Sequence, residues 1–170
     1  MTNEPPNAPW PTLASGADPL WRQTHFGRWL GLASERFDQR VLQAMAHDRE
    51  APLTLGRLAQ RAKLTSAHVH LLRHLPLAGA RLTDLARDAR MTKQAMATAV
   101  SECERWGLVE RRADLRDRRA RRLVFTPLGQ EWLQVYGRAV ARAQAEFRAA
   151  VGEDVATVAA LALEAYAAGA

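Results

Sequence analysis

The chain has a single cysteine, Cys103, in 170 residues, so it can hold neither an intramolecular disulfide nor a cysteine cluster for zinc. No apolar run reaches the roughly 18–20 residues of a membrane-spanning helix. The opening MTNEPPNAPW lacks the basic stretch followed by an apolar one that marks a secretory leader. A cytoplasmic protein without a membrane partner is expected. Also missing are a glycine-rich phosphate loop, a nucleophile paired with a base, and a metal-ligand set. No catalytic residue, cofactor or metal is therefore expected, and the chain does not read as an enzyme.

Negative charge is the scarcer sign, with 18 Asp and Glu against 24 Lys and Arg. The resulting net charge of +6 and pI near 10.6 favour a polyanionic partner, nucleic acid ahead of an anionic membrane. A hydrophobic content of 48% excludes a wholly disordered chain, and the length suits one domain with a real core.

Residues 1–19 hold five of the eight prolines and read as an extended arm. From Leu20 to about His47, the apolar residues Leu30, Ala33, Phe37, Val41 and Met45 recur at steps of three and four, which predicts one long helix. Pro52 interrupts the pattern. A short helix is then expected, with another beginning near Ser66. Leu82–Ala89 and Thr92–Trp106 follow as helices with two residues between them. Thr126-Pro127 is a start signal, a threonine N-cap with proline at the first helical position. The helix it opens runs through Leu128, Trp132, Leu133, Tyr136, Val140, Ala143 and Phe147 until Gly152. An alanine-rich helix continues to about Tyr166. Leu55, Leu58, Ala59, Ala62 and Thr65 also echo Leu82, Leu85, Ala86, Ala89 and Thr92 at an offset of 27. Two copies make no repeat array, and the first reads as structural.

The segment from Arg81 to Arg112 has the pattern of a helix-turn-helix. Thr83 is expected to cap the first helix and Thr92 the second. Met96, Ala99, Val100 and Cys103 share one face and belong to the core. Lys93, Gln94, Ala95, Ala97, Thr98 and Ser101 then fall on the open side. An amide, hydroxyls, small methyls and a cation on one helical turn are the groups that read base edges in a major groove. Taken alone, the same face fits a solvated surface equally well.

Between Arg111 and Arg122 stand seven arginines and two aspartates. Leu108–Arg112 alternates apolar and charged residues, and Arg121–Phe125 does so more loosely. The stretch reads as two strands and a polar tip rather than a helical arm. The expected fold is mainly α with a small two- to three-stranded antiparallel wing.

With LTDLA, MTKQAMATAV, GLVERR and DRRARRLVFTPLG in this order and spacing, the chain resembles the MarR family of winged helix-turn-helix transcriptional regulators. The resemblance is strongest over Leu64–Gly129. It implies a homodimeric, ligand-responsive repressor that reads a pseudo-palindromic double-stranded DNA operator. Residues 20–63 and 127–170 would form the dimerisation helices and 64–126 the DNA-binding region. Thr92, Lys93, Gln94, Ala95, Ala97, Thr98 and Ser101 would meet the major groove. Arg119 would enter the minor groove, oriented by Asp117, while Arg116 and Arg118 would meet phosphates. Three departures stand out. Arg90 occupies a tight-turn position where glycine is usual, which implies a left-handed backbone at a cost of about 1 kcal/mol. Phe125 replaces leucine, and Arg49–Lys63 is longer than the usual link.

The family often binds small aromatic or phenolic acids near its first helix, which implies a ligand site at Trp21, His25, Trp29 and His70. An aromatic dimer core around Trp21, Phe26 and Trp29 is the competing reading. His70 and His74 share a helix face, but His68 does not, so structural or pocket-lining roles are expected instead of metal binding. Cys103 occupies a core position and reads as inert. The alternative function is a basic RNA-binding or protein-interaction module anchored by the arginine-rich hairpin.

Overall fold

The computed structural model describes residues 24–52, 55, 57–58, 64–114 and 120–169. The proline-rich arm, Trp21, most of the Arg49–Lys63 segment and the wing tip at Arg116, Asp117, Arg118 and Arg119 lie outside the described residues. The chain forms two compact units, Met1–Gln39 and Arg40–Ala170. Six helices and two strands are described: α1 (Phe26–Ala46), α2 (Ser66–His74), α3 (Leu82–Asp88), α4 (Lys93–Arg105), β1 (Val109–Ala113), β2 (Arg121–Phe125), α5 (Pro127–Val151) and α6 (Glu153–Ala168). This is the winged helix architecture that the sequence predicts.

Of the periodic positions on α1, Val41 and Met45 are buried, Leu30 and Phe37 half-buried and Ala33 exposed. Helix α2 ends at Leu75, whose extended ψ of 114° is the conformation that a following proline, here Pro76, imposes. Helix α3 starts one residue before Thr83, the expected cap. Arg81 holds the N-cap position, without a side-chain cap bond. The cause lies upstream. Ala80 N–H donates to Leu123 O at 3.0 Å and Leu123 N–H returns to Ala80 O at 2.8 Å. That bridge fixes the backbone two residues before Leu82, so the chain enters the helix earlier than a threonine cap would allow.

Two helix ends close with the same hydrogen-bond motif. After α3, Met91 N–H donates to Ala86 O and Arg90 N–H to Arg87 O. After α4, Leu108 N–H donates to Cys103 O and Gly107 N–H to Glu104 O. Such a closure needs a left-handed residue, usually glycine. Gly107 fills that role with φ 72°, and Arg90 with φ 51°. Arg90 is the only non-glycine with positive φ among the described residues.

The wing is antiparallel, with Val109 opposite Phe125 and Ala113 opposite Arg121. Leu108, Val109, Leu123 and Phe125 face the core, against which α3, α4 and α5 pack. Thr126 ties the wing to α5. Its Oγ1 accepts from Gly129 N–H at 3.0 Å and donates to Gly107 O. A Cβ at position 129 would lie 1.9 Å from Leu108 O, so only glycine lets α5 start against the strand. The Thr-Pro-x-Gly spelling thus combines a cap, a preset φ and a close backbone approach.

Candidate nucleic-acid interface

Helix α4 forms because Thr92 caps it, its Oγ1 accepting from Ala95 N–H at 3.1 Å. Met96, Ala99, Val100 and Cys103 are buried, as their spacing predicts. That burial turns Thr92, Lys93, Gln94, Ala95, Thr98 and Ser101 outward as an exposed face, with Ala97 half-buried among them. Two hydroxyls on this face are already committed. Thr98 Oγ1 donates to Gln94 O at 3.1 Å and Ser101 Oγ to Ala97 O at 2.9 Å. With its hydrogen spent on the backbone, each hydroxyl presents lone pairs outward and can only accept. Thr98 adds a methyl group. The face therefore combines acceptors, methyls, one amide and one ammonium, a set that distinguishes base edges.

The core beneath is chemically quiet. Cys103 is fully buried, and its thiol is pushed up to about 12, mainly by burial and secondarily by the Glu102 charge. A thiol that stays protonated is neither a nucleophile nor a redox sensor.

At the wing base the arginine run has internal structure. Arg111 pairs with Glu104 at 3.3 Å and Arg112 with Glu110. Arg122 donates to the Gly79 and Ala78 carbonyls. Asp114, only 4% exposed, accepts from Arg81 Nε at 3.3 Å and lies 3.8 Å from Arg122. Asp114 N–H also donates to Ala120 O at 3.0 Å, which extends the hairpin pairing past β1. This aspartate is a tie between the wing and the start of α3. Its partner Arg81 stands 33 residues away in sequence, so no local pattern announces it.

The three histidines of α2 are each engaged within the protein. His70 Nε2–H donates to Ala89 O at 2.7 Å, beside the left-handed Arg90, and His74 Nδ1–H donates to His70 O at 2.7 Å. His68 contacts Thr65 and Glu102. No group of three His, Cys, Asp or Glu converges as a metal site among the described residues. Of the candidate ligand residues, Trp29 is 56% exposed, and His25 is exposed with its Nδ1 accepting from Arg28 N–H at 3.2 Å. Trp21 lies outside the described residues. No described helix is long and apolar enough to cross a membrane.

Comparison with known proteins agrees with this geometry. The family model for the MarR family matches residues 62–120. A solved structure of MarR is 23% identical and covers 83% of this chain and 96% of its own, with a TM-score of 0.60. A probable transcriptional regulator from Pseudomonas aeruginosa is 18% identical, with coverage of 84% and 98% and a TM-score of 0.61. A mutant S. aureus MepR bound to oligodeoxyribonucleotide is 15% identical, with coverage of 85% and 97% and a TM-score of 0.53. At these identities the likeness is one of fold. No curated protein matches the chain.

Proposed function

Because residues 62–120 of this chain are a MarR-family segment set in a winged helix fold, we propose that it is a sequence-specific double-stranded DNA-binding transcriptional regulator. In this reading it is a cytoplasmic, ligand-responsive repressor that binds a pseudo-palindromic operator as a homodimer. Helix α4 enters the major groove. Lys93, Gln94, Ala95, Ala97, Thr98 and Ser101 face bases or phosphates, and Thr92 closes the helix start. The wing follows the neighbouring minor groove, with Arg119 inserted, Asp117 orienting it and Arg116 and Arg118 on phosphates.

The observation that carries this reading is the outward face of α4. Four fully buried or nearly buried side chains fix its rotation, and the opposite side presents the Lys93 ammonium, the Gln94 amide, methyl groups and the outward lone pairs of Thr98 and Ser101. In this reading residues 20–63 and 127–170 dimerise, and 64–126 read DNA. Dimerisation is supported by Val155, Val158, Leu161, Leu163 and Tyr166 on α6, all left exposed in one chain. Two reading helices would then sit about one DNA turn, roughly 34 Å, apart. The stretch Trp21–Trp29 is the place proposed for a small aromatic or phenolic effector. His70, whose ring is bonded to Ala89, is left out of it.

Selection of bound duplexes from a random pool by the purified protein tests the proposal. An enriched inverted repeat, with strong loss of binding in Arg119→Ala and relaxed preference in Gln94→Ala, supports it. Enrichment of no duplex refutes it. Salt-sensitive binding to structured RNA that is untouched by Gln94→Ala would favour a basic RNA-binding module instead.

A further inference from the structure

His68 is the buried histidine of the described residues, only 3% exposed, and groove reading leaves it without a task. It occupies the third position of α2, where a capping box normally places Glu or Gln. Thr65 N–H points at its Nδ1 from 3.0 Å, and the Thr65 hydroxyl lies 2.8 Å from the same atom. A nitrogen that accepts from a backbone N–H carries no proton, so the ring proton is on Nε2. That Nε2–H donates to Glu102 Oε2 at 2.6 Å. The ring also packs on Trp106, centroid to centroid 4.7 Å at 59°.

One neutral imidazole therefore closes the first turn of α2, holds a carboxylate of α4 and rests on the residue that caps α4. Glu102 directly follows Ser101 on the outward face. With Gln94, Ala97, Thr98, Ser101 and Arg105 it lines one shallow depression there. The orientation of that face is set by what grips the far half of α4, and His68 is such a grip.

We propose that His68 is a positioning residue for DNA reading, acting through Glu102 to fix the orientation of α4 on α2. The inference rests on the DNA-reading assignment above. Two variants test it in the full chain. His68→Gln keeps a capping-box acceptor for Thr65 N–H but shortens the reach to Glu102. Glu102→Gln keeps an acceptor for Nε2–H and removes only the charge. Binding is measured to the selected duplex and to an unrelated duplex across a salt series, beside thermal melting.

The expected result for His68→Gln is a folded protein whose specific-to-nonspecific affinity ratio falls about tenfold. Its salt slope should be unchanged, because no phosphate contact is lost. Glu102→Gln is expected to lower the ratio less than His68→Gln does, because an acceptor for Nε2–H remains. A His68→Gln ratio within twofold of wild type overturns the inference, as does an equal loss in Glu102→Gln. If the wild-type protein selects no duplex, the DNA-reading assignment falls and takes this inference with it. If it selects one and His68→Gln reads it equally well, the inference alone falls.

Discussion

Exchanging the residues at the two left-handed helix ends reverses the sign of a single energy term. Arg90 and Gly107 close α3 and α4 with the same pair of backbone hydrogen bonds, and their φ values are 51° and 72°. A side chain in this conformation costs about 1–2 kcal/mol through contact of Cβ with the following carbonyl. Glycine removes that cost but loses about 0.5–1 kcal/mol more backbone entropy on folding. The difference leaves about 0.5–1 kcal/mol in favour of glycine. Arg90→Gly is therefore expected to stabilise the protein by that amount, and Gly107→Ala to destabilise it similarly. A Cβ at 107 meets nothing nearer than Leu128 Cδ2 at 4.0 Å, so packing does not confuse the second variant. Urea unfolding followed by circular dichroism gives both values, and each should appear as a melting shift of about 2–3 °C. A destabilised Arg90→Gly, or a Gly107→Ala indistinguishable from wild type, would refute the assignment of strain to these two positions.

Other substitutions follow from the same geometry. Gly129→Ala forces a methyl to within 1.9 Å of Leu108 O and 2.9 Å of Phe125 Cδ1, so the start of α5 must shift and loosen the Thr126 cap. A loss of about 2–4 kcal/mol in urea unfolding is expected, from overpacking together with a weakened cap. Asp114→Asn removes the carboxylate charge that Arg81 and Arg122 approach. Because both guanidinium groups reach solvent, the loss should be about 1–2 kcal/mol, below that of a fully buried pair. Cys103 should resist thiol reagents at pH 8 in the folded protein and react fully in denaturant. Its folded value near 12 stands above the ordinary value near 9, so the unfolded chain releases this proton first. The stabilisation from the buried neutral thiol is complete below pH 9 and declines as pH rises from 9 to 12. Cys103→Ala should flatten that decline.

What the sequence made legible was local. Thr92 and Thr126 announce their helices because a cap lies within three residues of the amide it satisfies. Met96, Ala99, Val100 and Cys103 reveal the inner face of α4 because a helix repeats every three or four residues. Both strands of the wing are within a residue of their expected limits. Where the reading missed, a distant partner decided. Thr83 has the chemistry of a cap, yet the bridge between Ala80 and Leu123 starts α3 before it. His68 serves a capping box with an imidazole in place of a carboxylate or amide, and its second partner stands 34 residues on. Thr65 three residues before His68 was the available signal. Asp114 was legible only as one of two aspartates in a basic run, and its buried place beside Arg81 was not legible at all. The tip that carries Arg116, Asp117, Arg118 and Arg119 lies outside the described residues, and its roles await the duplex selection.

Thr126 gives α5 the character of a lever with a riveted end. Its hydroxyl caps that helix and also grips Gly107, the residue through which the chain leaves α4 for the wing. A helix of 25 residues is about 38 Å long. Tilting it by about 5° around Thr126 carries its far end through about 3 Å. By the same geometry, a few ångströms of displacement near Val151 would correspond to a rotation of only a few degrees at Thr126, whose side chain touches both the start of α5 and the exit of α4. The end of the wing, the exit of α4 and the start of α5 thus meet at one residue.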